Sequence, residues 1–161
     1  MIGVGAAAWQ EGIQFFGVVS TGDIDPVFES VVFEREVPGD RGDVFAAAGG
    51  ASLADVFVNA SIINDGKTIS ISIDGACPGE IFTFNYTIAN RGSVPVCFYT
   101  LVENSDPPGI TFSNSLSEGM LGGNGEDVAG ELSIHVGNDV QELTSYKFTL
   151  TLFFQQWNIA P

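Results

Sequence analysis

The sequence predicts an all-β protein: a single antiparallel β-sandwich of jelly-roll type preceded by an extended N-terminal segment. Three observations carry this expectation. Apolar and polar residues alternate with period 2 in segment after segment. Clusters of Asn, Asp, Gly and Pro separate those segments. No long stretch has helical spacing, and no internal repeat is visible.

The chain begins with Met1-Ile2-Gly3-Val4-Gly5-Ala6-Ala7-Ala8, then Trp9 and the run Ile13-Gln14-Phe15-Phe16-Gly17-Val18-Val19. The first segment is far shorter than the ~20 residues of a membrane helix. It lacks a basic n-region, so it is not a complete signal peptide; it is either the end of one, cleaved among the alanines, or the mature N-terminus, and the second is expected. It is also too short and Gly-rich for a stable helix. An apolar tail left free would invite aggregation, so something should cover it: its own sheet, or a groove on a neighbouring copy. The expected division is an extension over 1–12 and a sandwich domain over 13–161.

Further along, Glu36–Gly50 is rich in Gly, Pro and Ala and reads as a long surface excursion. Asn64-Asp65-Gly66-Lys67 should close a hairpin into the next strand. In that strand Ile69, Ile71 and Ile73 share one face. Phe82, Phe84, Tyr86 and Ile88 then oppose Thr83, Asn85 and Thr87. Asn90-Arg91-Gly92-Ser93 turns the chain toward a strand over 94–102. Asp106-Pro107-Pro108-Gly109 and Gly122-Gly123-Asn124-Gly125 read as loops. Leu132, Ile134 and Val136 alternate with Glu131, Ser133 and His135, and Tyr146–Leu152 alternates likewise. Strands with one apolar and one polar face belong to antiparallel sheets wetted on one side, and several of them bury their apolar faces only by pairing sheet on sheet.

Composition narrows the function. With 161 residues the chain fits one domain, and 45% hydrophobic residues with a mean hydropathy of +0.25 supply a core. Twenty acidic residues face five basic ones, for a net charge of -15. Such a surface repels phosphate backbones and anionic lipid, so no nucleic-acid partner is expected, and no apolar run reaches the ~20 residues of a membrane helix, so no membrane span is expected.

Three blocks of residues resemble TasA/camelysin-type secreted proteins. The first comprises Trp9, Glu11, Gly17, Val19, Thr21-Gly22-Asp23-Ile24-Asp25 and Phe28. The second is Cys77-Pro78-Gly79-Glu80 followed by Phe82 to Pro95, similar to a Pro-Gly-acid turn leading into an alternating strand and an Asn-x-Gly-Ser-x-Pro turn. The third is Tyr146–Asn158, ending in Gln155-Gln156-Trp157-Asn158. The resemblance spans nearly the whole chain; the Cys77/Cys97 pair and the 36–50 excursion stand outside it. It implies an extracellular location, at the cell surface or in a biofilm matrix, and a subunit of biofilm fibres or archaeal bundling pili. In such filaments the N-terminal segment of one subunit completes the sheet of the next. Here that role falls on Ile2, Gly3, Val4, Gly5, Ala6, Ala7, Ala8 and Trp9. The expected partner is another copy of the chain, with lateral bundling of filaments as a candidate second contact. The alternatives are a camelysin-like metallopeptidase and a monomeric surface-binding module.

The residues argue against an enzyme. Catalytic zinc takes about three protein ligands, and the chain has one histidine, His135, and no H-E-x-x-H. No G-x-S-x-G elbow accompanies that histidine. No cofactor is expected. Cys77 and Cys97 are either a disulfide or two buried thiols, and secretion favours the disulfide, worth about 3 kcal/mol for a loop of this size. Asp23 and Asp25, two apart on one strand face, are weak calcium candidates, since paired surface carboxylates are usually solvated. Arg41-Gly42-Asp43 matches an adhesion tripeptide that arises easily by chance in a Gly-rich loop. Asn59 and Asn85 lie in N-x-Ser/Thr sequences and are glycosylation candidates.

Overall fold

A computed structural model describes residues 22–36, 45–47, 51–53, 56–103, 108–141 and 144–157. They form the strands β1 (Pro26–Glu36), β2 (Phe45–Ala47), β3 (Ala51–Leu53), β4 (Val56–Ile63), β5 (Thr68–Ala76), β6 (Ile81–Asn90), β7 (Val96–Glu103), β8 (Ile110–Asn114), β9 (Glu118–Leu121), β10 (Glu126–Val136) and β11 (Thr144–Gln156). These make two antiparallel sheets, ordered β2-β1-β6-β10-β8 and β3-β4-β5-β11-β7-β9. No helix among the described residues is long and apolar enough to cross a membrane.

The period-2 pattern decides what lies between the sheets. Ile69, Ile71 and Ile73 on β5, Phe82, Phe84, Tyr86 and Ile88 on β6, Leu132 and Ile134 on β10, and Phe148 and Leu150 on β11 are all buried to within 2% exposure. Their strand neighbours Ser70, Ser72, Thr83, Asn85, Thr87, Ser133 and Thr149 turn to the outer faces and are half-buried. A shift of one residue in any of these strands would exchange the two sets, so the core itself fixes register.

The hairpin between β4 and β5 forms at residues 64–67, between the paired Ile63 and Thr68. Asn64, Asp65 and Gly66 all have positive φ, which only Gly, Asn and Asp adopt readily. The Cys77-Pro78-Gly79-Glu80 turn carries β5 into β6. Glu80 is 3% exposed, and its carboxylate accepts a hydrogen bond from the Cys77 backbone N–H at 3.0 Å. The Gly79 N–H donates to the Val136 carbonyl, and the Val136 N–H donates to that of Glu80, which ties the turn to the end of β10.

At the opposite end Asn90, fully buried, staples two loops, the β6–β7 connection and the β9–β10 connection. Its amide nitrogen donates to the carbonyls of Val94 (2.7 Å) and Gly122 (3.0 Å), and its side-chain oxygen accepts from the Gly92 N–H at 3.1 Å. The Arg91 and Val94 N–H groups donate to the Asp25 and Asp23 carbonyls, so the start of the described chain docks on the same loop. The turn over Asn90–Ser93 leads to the expected following strand. It passes the chain from β6 in one sheet to β7 in the other.

Part of the 36–50 excursion is strand. Within it, β2 pairs with Phe33, Glu34 and Arg35 of β1, and β3 just beyond joins β4 in the opposite sheet. Backbone pairing along an existing edge overrides the low strand propensity of Ala and Gly. Arg41-Gly42-Asp43, the expected donor residues Ile2–Trp9 and the 12/13 boundary lie outside the described residues.

Candidate functional site

The sandwich is unevenly closed. On β10 the inward residues Leu132 and Ile134 are 0% exposed. Their partners one strand farther out, Asn114 and Phe112 of β8, are only half-buried, as is Ile110 opposite Val136. The reason is topological: β8 ends its sheet, and among the described residues no strand pairs with its outer edge. Phe112 still packs edge-on against Phe148 of the facing sheet, with ring centroids 5.0 Å apart. The facing sheet ends on the same side in β9, since Ser115–Ser117 alone link β8 to β9. Apolar core and unpaired backbone thus meet along one side of the molecule.

A polar cluster holds that side in shape. Tyr86 Oη donates to Asn114 Oδ1 at 2.7 Å, Asn114 Nδ2 donates to Thr100 Oγ1 at 2.8 Å, and Thr100 Oγ1 donates to the Leu116 carbonyl at 2.7 Å. The Thr100 N–H bonds the Ser117 carbonyl, and the Ser115 hydroxyl accepts from the Glu131 N–H. Side chains from β6, β7 and β8 therefore clamp the crossing between the sheets. The Tyr86 ring lies over Gly130 of β10, where an added Cβ would come within 2.6 Å of it. Glycine at 130 is thus a condition for seating the tyrosine.

Burial pushes the Tyr86 hydroxyl up to about 12, against a smaller opposing effect of its hydrogen bonds to Thr100 and Asn114. The folded state therefore holds its proton more tightly than the unfolded chain, in which tyrosine titrates near 10. The resulting stability is fully present below pH ~10 and is lost as pH rises through about 12. Chemical denaturation across that window should show the midpoint falling steeply for the native chain and much less for Tyr86→Phe. Equal slopes would contradict the assignment.

The expected disulfide is not formed. Cys77 and Cys97 are both free and half-buried. Cys77 precedes β6, whose ten residues span roughly 30 Å at ~3.3 Å per residue, and Cys97 follows at the far end on β7. A bridge needs Cα atoms within about 7 Å. Sequence separation of the pair gave no sign that a full strand length intervenes. A thiol assay in denaturant without reductant should count two thiols per chain; a count of none would restore the bridge.

Among the other candidate residues, Asp25 accepts an ion pair from Lys67 Nζ at 2.8 Å, and Asp23 Oδ1 accepts from the Ile24 N–H at 3.0 Å. Each carboxylate thus has a partner of its own. Asn59 is exposed on the outer face of β4; Asn85 is half-buried on that of β6. His135 is exposed on β10. Among the described residues no three His, Cys, Asp or Glu side chains gather as a metal cluster.

Asn90 and Asn114 were not singled out from the sequence. A polar residue at an inward position of an apolar alternation, as Asn114 is after Ile110 and Phe112, is the signal that would have found the clamp. No family model, no curated protein and no solved structure matches the chain.

Proposed function

We propose that this chain is a structural subunit of an extracellular filament, in a biofilm matrix or in cell–cell adhesion, that polymerises by donor-strand complementation. The observation that carries the reading is the open side along β8, where Ile110 and Phe112 are half-covered and no described strand follows. The strand order supports it. In the jelly-roll plan the first, eighth, third and sixth strands form one sheet, and the second, seventh, fourth and fifth form the other. With β5 taken as first, β5-β11-β7-β9 follows the first sheet and β6-β10-β8 follows the second up to its fourth strand. The fifth, which would pair with the outer edge of β8, has no counterpart among the described residues. β4 and β1 extend the two sheets on their other side.

A segment supplied by another copy would fill the fifth position, gaining main-chain hydrogen bonds from β8 and burial against Ile110 and Phe112. The apolar residues Ile2, Val4 and Trp9, interleaved with small Gly and Ala, suit that role. Because donor and acceptor are different surfaces, the contact is head-to-tail and propagates into a fibre. The resemblance to TasA/camelysin-type proteins points the same way. Electron microscopy of the purified native protein tests the reading: filaments support it, and a monodisperse 17.0 kDa species overturns it.

A further inference from the structure

The outer face of the six-stranded sheet divides in two. Over β4, β5 and the first half of β11 it carries Ser61, Ser70, Ser72 and Thr149. Over the end of β11 and over β7 and β9 it becomes aromatic and sulfur-rich. There Phe153, Tyr99 and Glu118 stand in register in one row, and Gln155, Cys97 and Met120 in the next. Tyr99 is 52% exposed and Met120 64%. Together these residues line a shallow, open concavity of about 770 Å³, a size that suits a ligand group.

The rings set the chemistry. Tyr99 and Phe153 stack with centroids 4.8 Å apart and planes 9° apart, so Phe153 covers one face of Tyr99. The other face turns toward β9, where the residue in register is Glu118. A π-face and a carboxylate thus border the same gap, and both attract positive charge. Among the described residues no lysine or arginine lines the concavity. Lys67, whose ammonium stands 5.2 Å from the Phe154 ring centroid, is already paired with Asp25, Arg91 is paired with Glu29, and the whole chain carries -15. An anionic ligand is repelled at both ranges, and a purely apolar one would desolvate Glu118 without a partner.

We propose that this concavity binds a cationic side chain, arginine foremost, presented by an extended segment of a partner polypeptide. The planar guanidinium stacks on the free face of Tyr99 while its N–H groups pair with Glu118. Met120 covers the aliphatic stem, and Gln155 offers an amide oxygen in the neighbouring row. The last strand of the sheet among the described residues is β9, which leaves main-chain groups beside the site for the segment's backbone. The site lies on the same side of the molecule as the β8 edge but uses the outer face of β11, β7 and β9 and no residue of β8, so it does not depend on the filament reading.

Fluorescence anisotropy on the full chain with a labelled, capped Ala-Ala-Arg-Ala-Ala peptide tests this. The citrulline analogue, equal in shape and neutral, is the control. Arginine should bind about fivefold or more tightly than citrulline, with affinity falling as salt rises. Glu118→Gln and Tyr99→Leu should each erase most of that preference, with circular dichroism verifying the fold of each variant. Equal binding of the two peptides, or unchanged preference in both variants, overturns the proposal. So does self-association in sedimentation that Met120→Ser abolishes while the arginine peptide stays inert, which would make a second copy the occupant.

Discussion

Removal of residues 1–9 should leave a folded sandwich that no longer forms filaments. The segment is apolar, so water is a poor solvent for it, and in the proposed polymer it lies in the groove beside β8 of the next subunit. Among the described residues, Phe82, Phe84, Ile134 and Leu150 share one core cluster with residues of β1, β4, β5, β7, β10 and β11. Fold and assembly should therefore separate cleanly. Val4→Asp should act like the deletion, because a carboxylate carried into an apolar groove without a partner costs several kcal/mol. Circular dichroism would report the fold and electron microscopy the polymer. A deletion variant that still makes normal filaments would end the donor-strand reading and leave the sandwich untouched.

Phe84→Ala should cost about 3–5 kcal/mol of folding stability, a large share of what holds a domain of this size. Phe84 is 1% exposed at the middle of β6, the strand flanked by β1 and β10, and packs against Phe33 with ring centroids 6.0 Å apart. Neighbouring strands on both sides fix the backbone, so the surroundings have little freedom to collapse into the space. Truncation at half-exposed Phe112, on the free edge, should cost much less. Denaturant titration of the two variants would compare them. Similar losses would mean that the β8 edge is as tightly packed as the centre.

Local physics was legible in the sequence. Alternation at Ile69–Ile73, Phe82–Ile88, Leu132–Val136 and Tyr146–Leu152 told which side chains face inward, and all of the core residues it named are buried. It did so because a strand's side-chain period is a property of a single chain segment. The Asn64–Lys67 hairpin was legible for the same reason: positive φ is a demand made on individual residues.

What only the tertiary structure decided were the relations between segments far apart in the chain. Which sheet each strand joins made the Asn90–Ser93 turn a crossing between sheets and drew Phe45–Ala47 into pairing with β1. It set the two cysteines at opposite ends of β6. It brought Tyr86, Thr100 and Asn114 into one clamp and left β8 as the last strand of its sheet. Periodicity cannot encode these outcomes, because an alternating strand offers an apolar face and the same backbone donors and acceptors to any neighbour. The choice among neighbours rests on cross-strand packing, buried hydrogen bonds and chain connectivity, which exist only once the sheets have formed.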